Sequence, residues 1–342
     1  MFNLAEKYKK KIANTFGFQS EQVYLYGNGR TAFWAILKSL DLNEGDEVAL
    51  PSITCSGLVQ VVESLKLKPL FLEVDNTLTI PRQEFESKLS QKTRALMIQH
   101  TFNIIQDFSF ISKKNYPKLI IMENCSQGHS SIFKPNIISN FIFYSTQWNK
   151  VYSTGEGGVA ISKNFQKLES KKSSMLSEVI FSFPVCVALL IRKLKAYWVL
   201  KSLNPLFKSI IHQNSFKSEN YKLLSCLLGI LELKKYTKNI EHRHKITKEY
   251  IKNFDQDFSG FDDYLLYYPF FTSKKNSFLC SAKKKSLEIY DWPIEPLSPP
   301  VNKFERYYTQ SSLKISNSII GLPTNSLTDL KAAHKIIKFI SI

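Results

Sequence analysis

Apolar positions in the first half of the chain follow two alternating rhythms. Residues 2–17 place apolar side chains every three or four positions, which predicts an amphipathic helix. Residues 22–40 read as a short strand, a glycine turn and a helix opening near Arg30. A turn at 45–46 leads into an apolar run that Pro51 stops, and residues 55–67 resume the helical spacing. Strands are expected within 68–75, 93–102, 118–127, 140–147 and 157–162, with a short helix within 81–90. Beyond Phe165 the pattern turns helical as far as Phe254, and a mixture of strands, prolines and helices closes with a helix over 327–340. Strands that are apolar on both faces and alternate with helices predict an α/β fold with a mostly parallel sheet covered by helices. The expected division is a large α/β domain over 1–240 and a smaller α+β domain over 241–342.

Composition narrows this picture only in places. A chain of 342 residues that is 44% hydrophobic can bury a sizeable core. Five cysteines form no C-x-x-C pair, which argues against a disulfide framework or a zinc knuckle, predicts no metal site, and favours a reducing, cytoplasmic compartment. The N-terminus has no apolar run suited to a signal peptide. The net charge of +17 suits an anionic partner, but the lysines are spread along the whole chain and no RNA-binding signature stands out, so no nucleic-acid partner is expected. The longest apolar stretch, Val179 to Ile191, contains Pro184 and falls short of the about 20 residues that a membrane span needs. It reads as a buried helix, or, with the basic and aromatic residues that continue it to 211, as a peripheral membrane contact.

In an open parallel sheet, ligands sit outside the carboxyl ends of the strands. Three strands end in polar groups there: Gly27-Asn28-Gly29-Arg30-Thr31, Glu123-Asn124-Cys125-Ser126-Gln127, and Ser145 to Lys150. The first is a glycine turn opening a helix, whose unpaired N–H groups and positive dipole suit a phosphate or a plain helix cap. It matches neither the Walker pattern nor G-x-G-x-x-G. The third sets a hydroxyl and an amine five residues apart. A buried lysine readily loses its proton and forms Schiff bases, whereas an exposed one at a strand end is a solvated charge. Gly155-Glu156-Gly157-Gly158 then spends three of only 12 glycines, either on a tight turn between strands or on a close backbone approach beside that lysine.

Taken in order, these segments resemble the DegT/DnrJ/EryC1/StrS family of sugar aminotransferases. "GNGRTAFWAILKSLDLNEGDEVALPSITC" resembles the family's phosphate-turn helix and following strand. "ENCSQGHSS" sits where the family has E-D-A-A-Q-x-x-G, and "STQWNKVYSTGEGGVAIS" resembles its cofactor-lysine segment. The resemblance implies a fold-type-I transferase with a seven-stranded central sheet, and pyridoxal 5'-phosphate as cofactor, with pyridoxamine 5'-phosphate as its aminated form. Lys150 would bond the cofactor. Ser145 would hold its phosphate, with Gly29, Arg30 and Thr31 contributing from the helix N-terminus. Gln127 would approach the phenolic oxygen, Asn124 the pyridine nitrogen, and Cys55 the ring. The activity implied is transfer of an amino group from an amino acid, glutamate, to a nucleotide-linked keto-sugar for surface polysaccharide or lipopolysaccharide synthesis. A homodimer with sites built by both chains is implied too.

Three departures from the family pattern stand out. Asn124 replaces an aspartate that pairs with the pyridine nitrogen, and a neutral amide supplies no counter-charge. Cys55 stands where many members have an aromatic residue. The partner-subunit asparagine has no clear match, since Ser218 and Asn220 lack the G-x-N-x-R context. Two alternatives follow: a catalytically altered or inactive relative with a binding or regulatory role, and a membrane-peripheral enzyme on lipid-linked glycans. Joint retention of Lys150, Ser145 and Gln127 favours the enzyme.

Overall fold

A computed structural model of the protein describes residues 4–112, 115–133, 139–148, 150–172, 174, 221–254 and 261–341. The apolar stretch 179–211, Ser218 and Asn220 lie outside them. Helix α1 (Leu4–Phe16) leads into β1 (Val23–Tyr26), α2 (Gly29–Ser39), β2 (Glu47–Pro51), the short β3 (Thr54–Cys55) and α3 (Ser56–Ser64). Then follow β4 (Lys68–Leu72), α4 (Arg82–Lys88), β5 (Thr93–Gln99), β6 (Ile120–Asn124), β7 (Phe141–Ser145) and β8 (Gly158–Ser162). The C-terminal part holds α5 (Leu223–Leu233), α6 (Tyr236–Asn253), β9 (Tyr267–Phe271), α7 (Lys275–Lys284), β10 (Leu297–Ser298), α8 (Gln310–Ser318), β11 (Ile319–Pro323) and α9 (Leu330–Ile340). The residues from Phe165 to Lys172 carry no helix, although the sequence pattern turns helical there.

Seven strands form one sheet in the order β1-β8-β7-β6-β5-β2-β4. Strands β4, β2, β5, β6 and β7 run parallel. Strand β8 runs antiparallel between β7 and β1. The mostly parallel seven-stranded α/β architecture read from the sequence is therefore the observed one. Alternate residues of β7 show how its two faces are covered: Phe141 and Phe143 pack under α2 and α3, while Ile142 and Tyr144 pack under α1 and α5. Phe33 of α2 stacks on Phe143 at 5.0 Å between ring centroids. Buried Tyr8, Ile12 and Phe16 give α1 one apolar stripe, and burying each such side chain stabilises the fold by about 1.5–3 kcal/mol.

Helix α6 runs through residues 240 and 241 without a break, so a division there has a rigid helix as its connector. Strands β9 and β11 pair antiparallel, with α6 and α9 packed together beside them. This α+β layer shares an apolar core with the large sheet: Ile246, Tyr250 and Ile320 belong to the same cluster as Leu72, Leu96 and Ile98. Strand β10 returns to pair with β3, setting Ser298 opposite Cys55.

Candidate active site

The carboxyl ends of β6 and β7, the start of α2, and the β3–α3 junction converge on one region. Helix α2 is capped by Asn28, whose Oδ1 accepts from the Thr31 backbone N–H at 2.9 Å and from the Thr31 hydroxyl at 3.2 Å. Thr31 is thus committed to the cap. The N–H groups of Gly29 and Arg30 are left without an intrahelical partner, as at any helix start. A side chain at Gly29 would put its Cβ 3.1 Å from the Ser145 Cβ, so the start of α2 and the end of β7 nearly touch. The Arg30 side chain runs across the start of α3, where a Cβ on Gly57 would fall 2.4 Å from the Arg30 Cδ. Ser145 is buried, and its backbone N–H donates to the Ser126 hydroxyl at 3.1 Å, tying β7 to the loop after β6.

Lys150 sits on a loop between β7 and β8 that is closed at its base. Thr146 N–H donates to the Gly157 carbonyl at 2.9 Å, Thr154 N–H to the Thr146 carbonyl at 2.8 Å, and the two threonine hydroxyls lie 2.7 Å apart. Of the two readings of the glycine run, the close backbone approach is met, with the α2 cap and Thr146 as neighbours rather than the lysine, while the loop over 146–157 is too long for a tight turn between strands. A Cβ on Gly158 would fall 2.1 Å from the Asn28 carbonyl oxygen, and one on Gly157, at φ +150°, would fall 2.3 Å from the Thr146 hydroxyl. The glycines let β8 pass the start of α2 and let the loop close. Burial pushes the Lys150 amine below the usual lysine range, and the nearby Cys55 opposes that shift. The amine makes no hydrogen bond or ion pair among the described residues.

Asn124 is buried at the end of β6. Its Oδ1 accepts from the Ser126 N–H at 3.1 Å, and its Nδ2 donates to Gln99 Oε1 at 3.3 Å. Gln127 Oε1 accepts from the Phe102 N–H at 2.9 Å, which leaves its Nε2 to donate elsewhere. Phe102 and Asn103 both have positive φ, at +55° and +81°, an uncommon conformation for bulky residues. Asn103 is held there by Ser130 and by the Tyr264 carbonyl, its Nδ2 donating to each at 2.8 Å. Gly128 lies against it, where a Cβ would fall 2.1 Å from Asn103 Oδ1.

Three side chains near the site, Gln99, His129 and His100, went unnoticed in the sequence. Gln99 ends β5, so the strand-end rule applied to β5 as it was to β6 would have found it. His129 and its aromatic surround carry no local pattern. His129 packs 4.8 Å from Tyr144 and 5.3 Å from Phe16, and its Nδ1 lies 3.2 Å from the Tyr236 hydroxyl. Burial, with the Arg243 guanidinium and the Lys150 amine nearby, pushes its pKa down to about 3. His100, Glu123 and Cys125 are also clustered and buried. His100 Nδ1 accepts from the Gln106 N–H at 3.2 Å, so Nε2 carries the proton and donates to Glu123 at 3.1 Å. In that arrangement neither ring nitrogen has a lone pair free for a metal.

His129 gives a testable acid limb. The unfolded chain binds a proton there near 6.5 and the folded chain only near 3, so folding weakens as pH falls through that window and is indifferent to this group above it. Urea titrations at pH 7 and pH 4.5 are expected to show His129→Gln losing less stability on acidification than wild type does. Equal losses would remove His129 from the acid response.

A family model, that of the DegT/DnrJ/EryC1/StrS aminotransferase family, matches residues 3–263. The chain belongs to this family. The resemblance of its motifs to that family is therefore confirmed. Among curated relatives, it is 29% identical over 164 residues to the GDP-perosamine synthase of Escherichia coli O157:H7, covering 46% of this chain and 45% of that protein. It is 26% identical over 139 residues to the L-glutamine:2-deoxy-scyllo-inosose aminotransferase of Streptomyces kanamyceticus, covering 39% of this chain and 33% of that protein. The matches thus span less than half the length of these relatives. Among solved structures, the Helicobacter pylori aminotransferase PseC, involved in the biosynthesis of pseudoaminic acid, superimposes with a TM-score of 0.74 at 14% identity, covering 99% of this chain and 90% of that one. This likeness establishes the fold. Among the described residues no helix is long and apolar enough to cross a membrane.

Proposed function

We propose that the protein is a pyridoxal-phosphate-dependent aminotransferase that moves an amino group from an amino acid to a nucleotide-linked keto-sugar. The observation that carries this reading is Lys150: an amine with no hydrogen bond or ion pair among the described residues and a lowered pKa, on a closed loop beside Ser145 and the start of α2. The residues present fit the cofactor. The near contact between Gly29 and Ser145 makes a cradle that a Cβ would fill, with a hydroxyl and helix N–H groups suited to a phosphate. The amine suits an aldehyde, and the Asn124 amide suits a pyridine nitrogen.

When bound, pyridoxal phosphate supplies the carbonyl that takes up the amino group and the ring that disperses negative charge beside it. Lys150 contributes twice. Its neutral amine would bond the cofactor, and when free of it the same nitrogen would hold and move a proton. Ser145 and the first turn of α2 would anchor the phosphate, and Gln127 would donate through Nε2. Supporting the substrate class is the name of the Escherichia coli relative, a GDP-sugar synthase. The Streptomyces relative is named for glutamine as donor, so glutamate and glutamine are the two donors to compare. The setting proposed is surface polysaccharide or lipopolysaccharide synthesis in the cytoplasm, by a homodimer, with residues 1–240 holding the cofactor and 241–342 forming the smaller domain.

Protein loaded with pyridoxal phosphate is expected to lose its near-violet absorbance on adding glutamate or glutamine, and to regain it when a nucleotide-linked keto-sugar is supplied and aminated. An unchanged spectrum with both donors would sink the reading and favour the altered, non-enzymatic relative.

A further inference from the structure

The amide of Asn124 is held in one orientation by backbone groups at both ends of a hydrogen-bonded chain. At one end, the Ser126 N–H can only donate, so the Asn124 atom 3.1 Å from it is the oxygen. At the other, the Ile53 carbonyl can only accept, so the Gln99 atom 3.1 Å from it is the nitrogen. That nitrogen also donates to the Thr101 hydroxyl at 2.9 Å, which uses both of its hydrogens. Gln99 Oε1 therefore faces the other way, accepting from the Thr54 hydroxyl at 2.7 Å and from Asn124 Nδ2 at 3.3 Å. Asn124 Nδ2 has a second hydrogen, with no partner among the described residues.

We propose that Gln99 and the Ser126 N–H lock Asn124 so that its amide presents a hydrogen-bond donor to the pyridine nitrogen of the cofactor, holding that nitrogen unprotonated. The proposal rests on the cofactor assignment above. Asn124 is the residue that touches the ring, and Gln99 is a positioning residue acting through it. The same network disfavours a carboxylate at 124. An aspartate would set an oxygen against Gln99 Oε1, and turning Gln99 over would set its oxygen against the Ile53 carbonyl. Residue 124 and its surroundings are thus matched to an amide.

The test is the nitrogen resonance of ring-15N-labelled pyridoxal phosphate bound to the protein at neutral pH. Wild type is expected to show the shift of an unprotonated, hydrogen-bonded pyridine, and Asn124→Asp that of a pyridinium. Gln99→Met is expected to move the wild-type resonance toward that of a free pyridine, which a merely structural role for Gln99 would not do. An analogue with C–H in place of the ring nitrogen is expected to bind wild type about three- to tenfold more weakly, the loss of one hydrogen bond. A pyridinium resonance in wild type, with the cofactor bound, overturns the inference and leaves the functional reading standing. A wild type that takes up no cofactor overturns both. The wild-type measurement decides the matter even where a variant fails to fold.

Discussion

A Lys150→Ala protein is expected to hold no borohydride-fixed pyridoxal phosphate and to transfer amino groups at least about 10³-fold more slowly than wild type. Two contributions vanish with one side chain. The first is the covalent tether, which depends on a neutral amine; burial at this position favours that neutral form. The second is the proton shuttle between donor and cofactor. Ser145, Gln127 and the start of α2 remain, so non-covalent cofactor binding is expected to persist, weakened. The loop base is closed by Thr146, Thr154 and Gly157 rather than by the lysine, so the fold is expected to be intact. Reduction followed by peptide mapping and single-turnover kinetics measure the two losses. A label that survives and maps to another lysine shows the assignment to be wrong.

Gly158→Ala is expected to be the most damaging single methyl group near the site. Its Cβ would lie 2.1 Å from the Asn28 carbonyl oxygen, 2.2 Å from its carbon and 2.6 Å from the Gly29 nitrogen. All three are backbone atoms of the α2 cap, so no side chain can swing aside. Overpacking of this kind costs about 1–3 kcal/mol and more where backbone must shift. The shift would separate β8 from the start of α2, and would open the proposed phosphate cradle beside Ser145. A lower melting temperature together with weaker cofactor retention is the expected result. By contrast, Gly17→Ala meets nothing within 4 Å, although its φ of +78° carries local strain, and is expected to leave cofactor retention unchanged. A Gly158→Ala protein that melts and binds like wild type would refute the close-approach account of the glycine run.

Much of the fold was legible because its signals are local. The apolar spacing of α1, the runs in β5 and β6, and the glycine turn before α2 each specify an element within about ten residues. Strand order was not legible in that way. The antiparallel β8 and the pairing of β10 with β3 join segments far apart in sequence, and an apolar strand reads alike in either direction. The site divides along the same line. Lys150, Ser145, Asn124 and the start of α2 were found as polar groups ending apolar strands. The orientation of Asn124 depends on Gln99 and through it on Ile53 and Thr54, which lie 46 and 45 residues from Gln99. Thr31 illustrates the converse. It sits in the right segment, but Asn28 takes both its donors, a detail decided by cap geometry.

The place of β8 between β7 and β1 bears on the order in which the protein can assemble on a ribosome. Gln22, just before β1, donates to the carbonyl of Lys163, just after β8, across 141 residues of chain. Among the described residues β1 pairs only with β8, so the first strand made is the last in the seven-stranded sheet to gain a neighbour. Until nearly half of the chain is made, β1 has no strand to pair with, and the apolar stripe of α1 waits exposed or in the care of a chaperone. The proposed phosphate cradle, which needs α2 from the beginning of the chain and Gly158 from nearly halfway along it, can close only when β8 arrives.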